Sequence, residues 1–571
     1  MKNQDIAKIL YDIAIYLEMK DEMIFKVRAY EKAAQTIESL PDDVTILYKK
    51  GGIKALEELP GIGKGIGEKI EELIKTNRLK YYETLKKEIP VDIDNLRRIE
   101  GLGPKKILVL YKKLKIKSLE DLEKAAKQGR ISILEGFGER SEQNILKGLD
   151  FLKKVKGRYI LGYVMPLVID MEKRINSLPY VKKAIVGGSF RRRKETIRDV
   201  DVLVISNYPE KVMDYFVKMP EVINVFGKGK TKSTVLLENG MDADLRVVPE
   251  RSYGTALNYF TGSKDHNVAL RRIAIEKGLK LNEYGLFKGN KFVAGRTEEE
   301  LYKSFGLRYI EPELRENTGE IEASKKNKLP SLIPYKSLKG DLQTQTNWTD
   351  GVHTIEEMAL AAKKYGLSYV AITDHTKSLA MTNGLNEYRL LKQGKEIDKI
   401  NRKLSGITIL KGAEVNILKN GGLDINNKTL KELDVVGVAV HSNFNMSREQ
   451  MTKRIINAME NEHVDILFHP TGRVIQKREP YNLDIEKIID VAKSLGIILE
   501  INSYPDRLDL KDEHIRLAVK AGVKLCIDTD AHSKTNFPFL ELGIAQARRG
   551  WAEEKDVVNT LPLKQFLKHI K

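Results

Sequence analysis

From Ile6 to about Arg130, apolar residues recur at three- and four-residue spacing with Gly or Pro between the segments, which predicts a succession of short helices. Strand signals are nearly absent there. Around Lys182 the period shortens. KKAIVGGSF, DVDVLVIS, STVLLENG and ADLRVVPE are each rich in Val, Ile or Leu and bounded by turn residues, so they predict strands in a mixed α and β region. A polar stretch from Glu311 to Lys339, punctuated by Pro330 and Pro334, reads as a connector. Beyond it, helical segments alternate with short apolar strands: YVAIT, ITILKGAE, DVVGVAVHS, VDILFHP, IILEINS and KLCIDTD. That alternation predicts a parallel α/β sheet or barrel, whose chemistry would sit at strand ends.

Composition narrows the class. The chain has 571 residues, 31% charged and 42% hydrophobic, which excludes disorder as the main state and leaves room for roughly three to five domains. No apolar run approaches the roughly 18 residues of a membrane span. Asp5, Asp12 and Glu18 interrupt the region where a signal peptide would be apolar, so a cytoplasmic protein is expected. The single cysteine, Cys526, excludes an intrachain disulfide and a cysteine-clustered zinc site, leaving His, Asp and Glu as metal ligands. Lys and Arg number 98 against 80 Asp and Glu. Residues 101–200 alone hold 24 basic and 11 acidic side chains, most of the surplus. Such a cationic segment suits a surface that displaces counterions from a polyphosphate, although a solvated basic face has the same composition. Eight of the nine histidines, from His353 onward, lie in the C-terminal part.

In the helical region LPGIGKGIGEKI carries Gly61-Ile62-Gly63 before a helix, IEGLGPKKI repeats the design with Gly101-Leu102-Gly103, and LEGFGERSEQNI with Gly136-Phe137-Gly138. Glycines at such turns let backbone N–H groups and a helix N-terminus meet a phosphate oxygen. A lone Gly-x-Gly is usually only a turn, but repetition here suggests helix-hairpin-helix elements that hold DNA without reading its sequence. Lys69, one turn into the first of these helices, could serve as a Schiff-base nucleophile on an abasic sugar or as an ordinary phosphate-pairing lysine.

GGSFRRRKETIRDVDVLVIS, residues 187–206, aims Asp199 and Asp201 to one face of a strand while Val200, Val202 and Val204 take the other. Two carboxylates so placed repel unless cations lie between them. MDADLRVV offers Asp242 and Asp244 on one face of a second strand, and periodicity leaves open which of them joins the first pair. Two metals about 3.5 to 4 Å apart suit in-line phosphoryl transfer. Gly187, Gly188 and Ser189, with Arg191, Arg192, Arg193 and Lys194, suit a triphosphate.

GSFRRRKETIRDVDVLV resembles the nucleotidyltransferase motif of family X DNA polymerases, and ADLRVVP resembles the strand supplying their third catalytic aspartate. The resemblance implies Asp199, Asp201 and Asp244 as ligands of Mg²⁺ or Mn²⁺, with Gly188, Ser189 and Arg192 on the triphosphate. ALNYFTGSKDHNVALRRIAIEKGLKLNEYGLF, 256–287, is similar to the family's thumb, implying that Tyr259, Phe260 and Gly262 pack against the incoming sugar and that Asn267 approaches the nascent base pair. KGKTKS, with Lys228, Lys230 and Lys232, matches a segment near the primer. The hairpins match as well, implying DNA contacts at Gly61, Gly63, Gly101, Gly103 and Lys105 and placing Lys69 at the lyase position. Two departures stand out: Gly65 replaces a phosphate-binding lysine, and Lys264 an aspartate that contacts the base.

In the last third, acidic and imidazole groups recur at strand ends: Asp350, Asp374 and His375, Glu414, His441, His469, and Asp530 with His532. Convergent N and O donors make a site for Mn²⁺, Zn²⁺ or Fe²⁺. The pattern resembles the PHP (polymerase and histidinol phosphatase) phosphoesterase domain, which implies a distorted seven-stranded barrel with a trinuclear centre able to remove nucleotides from a primer 3′ end. The family opens this domain with His-x-His. Here Gln343 and Gln345 stand instead, and a neutral amide oxygen is a weaker donor, so incomplete metal occupancy is expected.

The expected organisation is an all-α helix-hairpin-helix region (1–85, with a fingers-like part 86–150), an α+β nucleotidyltransferase palm (151–250), a thumb (251–315), a linker (316–337) and an α/β PHP domain (338–571). The expected protein is a DNA polymerase filling short gaps in repair. It would use gapped or primed DNA and deoxynucleoside triphosphates, as a monomer with no membrane association. A nuclease-centred repair protein and a non-catalytic gap-binding scaffold are the rivals.

Overall fold

The structure is a computed structural model that describes residues 1, 3–38, 40, 43–99, 101–155 and 157–570. The N-terminal region is helical throughout. Helix Asn3–Met19 buries Ile6, Leu10, Ile13 and Leu17 against Ile24–Glu38. Helices Lys64–Thr76, Pro104–Leu114 and Glu139–Val155 each follow a glycine hairpin. The first hairpin glycines, Gly61, Gly101 and Gly136, take φ of 78°, 80° and 81°, a left-handed turn that disfavours a side chain, so the three repeats share one backbone geometry.

The palm is a five-stranded sheet built from β1 (Val181–Val186), β2 (Asp199–Ser206), β3 (Val222–Lys228), β4 (Lys232–Leu237) and β5 (Asp242–Val248), in the order β1-β2-β5-β4-β3. Strands β2 and β5 run parallel with Asp199 opposite Asp242 and Asp201 opposite Asp244. Val200, Val202, Val204, Ala243 and Leu245 fill the opposite face against helices Leu161–Asn176 and Pro209–Phe216. Strand β3 escapes the sequence pattern because it lies at the sheet edge with Ile223, Val225 and Phe226 exposed. Further along β2, Leu203 and Ile205 share the aspartate face and are covered by thumb helix Tyr253–Thr261. The thumb continues through helix Lys264–Glu276 and an antiparallel sheet of β6 (Lys280–Asn282), β7 (Gly285–Lys288) and β8 (Lys291–Ala294).

Buried charge joins palm to thumb. Arg191 grips Glu298 with two bonds of 3.0 and 2.6 Å, and Arg315 binds the same carboxylate. Burial pushes the Glu298 carboxyl upward, but Arg315 and Arg191 hold it at about 2. The polar stretch after Glu311, which reads as a connector in the sequence, is packed against its neighbours. It contains the turn Pro312–Leu314 and helix Glu320–Lys325, and Glu313, Arg315, Glu320 and Ser324 are buried. Glu320 meets His266 at 2.6 Å and Glu313 meets Arg548 at 2.7 Å. These charges face protein partners rather than water, which composition cannot distinguish.

The C-terminal domain is a parallel seven-stranded sheet in chain order: β9 (Gly340–Thr344), β10 (Tyr369–Ile372), β11 (Thr408–Asn416), β12 (Val435–Ala439), β13 (Ile466–Leu467), β14 (Ile498–Asn502) and β15 (Leu525–Asp528). Its first and last strands approach through a Thr344–Ala531 bridge and a 2.8 Å bond from the Gln345 N–H to the Ala531 carbonyl, making a nearly closed barrel. Leu342, Tyr369, Leu410, Ile466, Phe468 and Cys526 form an apolar plug, with Phe566 stacked on Tyr369 at 5.4 Å. Strand β9 carries one large apolar residue, Leu342, yet all five residues are buried. Among the described residues no helix is long and apolar enough to cross a membrane.

Glu298→Ala would leave Arg191 and Arg315 as buried guanidinium groups without their shared carboxylate. The palm–thumb unit should lose about 3–5 kcal/mol. In a urea titration of the full chain this transition should shift to lower denaturant, and an unchanged midpoint would remove the clamp from the list of stabilising contacts.

Candidate active sites

In the palm, the parallel register brings Asp201 beside Asp244. Burial raises the Asp201 carboxyl to about 7, reinforced by Asp199 and Asp244, while Lys232 and Arg192 only partly offset the rise. Asp242 lies at the exposed outer end of β5, where its charge acts on Tyr159. Asp244 therefore faces the pair. It accepts from Thr234 Oγ1 at 2.6 Å and lies 3.0 Å from Lys232 Nζ. Gly188, at φ 59°, sits directly against this cluster: a Cβ there would lie 2.8 Å from Asp201 Oδ2. The Gly187 N–H donates to the Asp201 carbonyl at 2.7 Å. Ser189 follows in the short turn Gly188–Arg191.

Arg192 reaches across to Glu316 at 3.1 Å and to the Thr261 carbonyl. A Cβ on Gly262, whose φ is 73°, would lie 2.9 Å from this guanidinium. Tyr259 is exposed and edge-on to Phe260 at 5.2 Å. Asn267 is buried, bonded to Asn258 at 3.2 Å and to the Tyr259 carbonyl at 2.8 Å. Thr255, Asn258, Tyr259, Asn267 and Arg271 line a cavity of about 130 Å³. Of the three lysines expected on the primer, Lys228 pairs with Asp214, Lys230 stands on the exposed turn, and Lys232 turns to Asp244.

At the hairpins, Gly63 and Gly103 have ordinary φ of −86° and −72°, no side-chain cap, and open space where a Cβ would be. Neither conformation nor packing demands glycine at these two positions, which leaves uncapped N–H groups accessible at both helix starts. Lys69 donates to the Gly65 carbonyl at 2.9 Å and lies 5.2 Å from the Tyr81 ring centre. Lys105 pairs with Asp21 at 2.7 Å.

The C-terminal domain gathers its candidates at one end of the barrel. Glu414 is the hub: His375 Nδ1 lies 3.2 Å from Oε2, and His441 and His469 Nε2 lie 3.0 and 2.8 Å from Oε1. Asp350 meets His375 at 3.6 Å and His532 at 3.4 Å. Two groups therefore have metal-ligand spacing, Asp350 with His375 and His532, and His375 with Glu414 and His441. Burial pulls His441 down to about 4 despite Glu414, leaving a neutral imidazole suited to ligation. Although burial disfavours charge on His532, Asp350 raises it to about 10, and Asp350 is held at about 2 against its own burial. Buried atoms without a hydrogen bond cluster here: Asp350 Oδ1, His469 Nδ1 and Glu500 Oε1 have none, and His375 Nδ1 and His441 Nε2 approach Glu414 without hydrogen-bond geometry. Orphaned donor atoms of this type fit divalent cations.

Asp530 adjoins the first group, with Oδ1 3.9 Å from His532 Nδ1. It lies 3.3 Å from Arg507 Nε and accepts from Asn502 at 3.2 Å. Gln345 donates to Glu414 Oε2 at 3.0 Å, and Gln343 Oε1 accepts from Asn502 at 3.1 Å. Both carboxylate oxygens of Asp374 are occupied by hydrogen bonds from Thr346, Thr349 and Gln393. The strand-end rule, applied to IILEINS and KLCIDTD, would also have found Glu500, Asn502 and Asp528. Arg507, on an irregular loop, carried no signal.

Family models match at four places: a helix-hairpin-helix domain over residues 1–79, a SAM-like helix-hairpin-helix tandem over 93–150, a DNA polymerase beta thumb over 256–316, and a PHP domain over 341–504. A phosphatase-like relative from Thermoanaerobacter, described as a probable phosphatase, is 34% identical over 40% of this chain and 95% of its own. A second such relative, from Caldanaerobacter subterraneus, is 34% identical over 34% of this chain and 76% of its own. The DNA polymerase/3′-5′ exonuclease PolX of Bacillus subtilis is 38% identical over the whole of both chains. With hairpins, thumb and PHP barrel arranged around the aspartate-bearing palm, that end-to-end identity means that the chain belongs to the PolX family, the family X DNA polymerases that carry a PHP domain.

Proposed function

We propose that this chain is a DNA-directed DNA polymerase that fills short gaps and that its PHP domain is a metal-dependent 3′-5′ exonuclease. The observation that carries the polymerase reading is the convergence of Asp199, Asp201 and Asp244 beside Gly188, where any side chain would collide with Asp201. Asp199, Asp201 and Asp244 would hold paired Mg²⁺ or Mn²⁺, which lower the barrier to in-line displacement at a phosphorus. Ser189 and Arg192 are assigned to the triphosphate, Tyr259, Phe260 and Gly262 to the sugar, and Asn267 to the new base pair. The hairpin glycines and the nearby lysines are assigned to the DNA backbone, so binding should be salt-dependent and indifferent to sequence.

In the PHP domain, Asp350, His375, Glu414, His441, His469 and His532 would hold Mn²⁺, Zn²⁺ or Fe²⁺, which activate a nucleophile and stabilise a leaving oxygen. The matching phosphatase relatives support phosphoester chemistry there. A lyase role for Lys69 is a separate proposal. It rests on placement behind the first hairpin, and borohydride trapping of an abasic substrate should give a covalent adduct that Lys69→Ala abolishes.

Primer extension on a gapped duplex with Mg²⁺ or Mn²⁺ separates the readings. Asp201→Ala should reduce extension by more than the ~100-fold typical of losing a group that merely supports a metal ligand, while gap binding persists. His469→Ala should abolish primer shortening and leave extension intact. Shortening that survives His469→Ala would move the nuclease elsewhere; extension that survives Asp201→Ala would overturn the palm assignment.

The raised Asp201 adds a pH dependence. Below about 7 its carboxyl keeps a proton that a metal must displace. Metal binding therefore strengthens as pH rises through that value, and the metal concentration for half-maximal extension should fall about tenfold between pH ~6 and ~8.

A further inference from the structure

The PHP site has a third recess beside its two histidine-rich groups, bounded by Gln343, Gln345, Glu414, Asn502 and Asp530. Its chemistry differs from theirs. Here the carboxylate oxygens face N–H groups: Glu414 Oε2 accepts from Gln345 at 3.0 Å, and Asp530 Oδ2 accepts from Asn502 at 3.2 Å. Asn502 also donates to Gln343 Oε1 at 3.1 Å, which links Gln343 to Asp530 through one amide. Arg507 then enters from the loop after β14, with Nε 3.3 Å from that same Asp530 oxygen. Burial works against its charge, and Asp530 and then Glu414 outweigh that burial.

We propose that Arg507 is a resident substitute for a metal ion in this recess. The guanidinium supplies positive charge at Asp530, whose Oδ2 it approaches at 3.3 Å, on the side of the cluster that the imidazoles around Glu414 do not reach. Where imidazoles would ligate, Gln345 and Asn502 donate to the two carboxylates and Gln343 Oε1 accepts from Asn502, while Gln343 Nε2 and Gln345 Oε1 make no hydrogen bond. A cation entering the recess would have to displace a charged, covalently tethered group and turn N–H donors away from the carboxylates, with only neutral amide oxygens gained in return. The Arg507 side chain is 23% exposed. Its outer N–H groups are thus placed to bind an oxygen of a phosphodiester held at the neighbouring metal pair, a contact that planar, multidentate guanidinium serves well. The site would operate with two metal ions and one arginine. This inference rests on the reading of the PHP domain as a metal site.

Metal counting tests it on the full chain, with Asp201→Asn introduced to weaken palm binding. After equilibration with Mn²⁺ and gel filtration, elemental analysis should find two ions per chain. Gln343→His with Gln345→His should remain at two, because Arg507 still fills the recess, and adding Arg507→Met should bring the count to three. Arg507→Lys, which keeps the charge, should leave the count at two while raising KM for primer shortening more than kcat falls. Three ions in the parent chain, or in the double histidine variant with Arg507 intact, would overturn the inference while leaving the metal reading in place. No bound ion at all would overturn both. A KM unmoved by Arg507→Lys would overturn the phosphate contact.

Discussion

Repulsion among carboxylates gathered at strand ends is the constraint around which this molecule is arranged. Parallel pairing of β2 and β5 places four aspartates on one face, and the barrel brings Glu414, Glu500, Asp528 and Asp530 to one mouth. Neither cluster is tolerable without compensation. The palm answers with Lys232 and Arg192, which only partly offset the rise of the Asp201 carboxyl to about 7. The barrel answers with imidazoles around Glu414 and with Arg507 at Asp530, while burial pushes the Glu500 and Asp528 carboxyls upward. Compensation by movable or exchangeable charge marks a binding site. Compensation by fixed partners, as at Asp374, marks a structural carboxylate.

That distinction also explains what the sequence could convey. Period-two alternation placed Asp199 and Asp201 on one face, because Val200, Val202 and Val204 need the core. It could not choose between Asp242 and Asp244, which share a face; only the register with β2 and the pairing to Lys232 and Thr234 separate them. The hairpins were legible through repetition, and the histidines through their position after apolar strands. Strand β9 was not, because Asp341 and Thr344 are buried as polar groups satisfied within the barrel, with Gln343 buried beside them. The stretch after Glu311 misled for the same reason. Hydropathy assigns charged residues to water, whereas Arg315, Glu313 and Glu320 find their partners inside.

These interior charges connect the two catalytic units. Arg549, 3% exposed on its side chain, belongs to the PHP domain yet binds Glu316, the carbonyl of Arg192 and Asp512. Glu316 is the carboxylate that also holds Arg192. A guanidinium assigned to the triphosphate is thus parked on a residue anchored by the other domain.

The arrangement has an energetic logic. Stripping one partner from a buried ion pair costs about 3–5 kcal/mol because the survivor is stranded, so an arginine locked to a single buried carboxylate would be poorly placed to bind substrate. Glu316 avoids this by having Arg549 at 3.2 Å and Lys194 at 3.8 Å in addition to Arg192. Were Arg192 to swing toward a phosphate, Glu316 would keep two cations and the arginine would exchange one anion for another. Arg549, packed in the C-terminal domain, would hold Glu316 in place during that exchange. The same reasoning explains why the segment between thumb and barrel is packed: a solvated tether there could not hold Glu313 and Glu316 against Arg548 and Arg549.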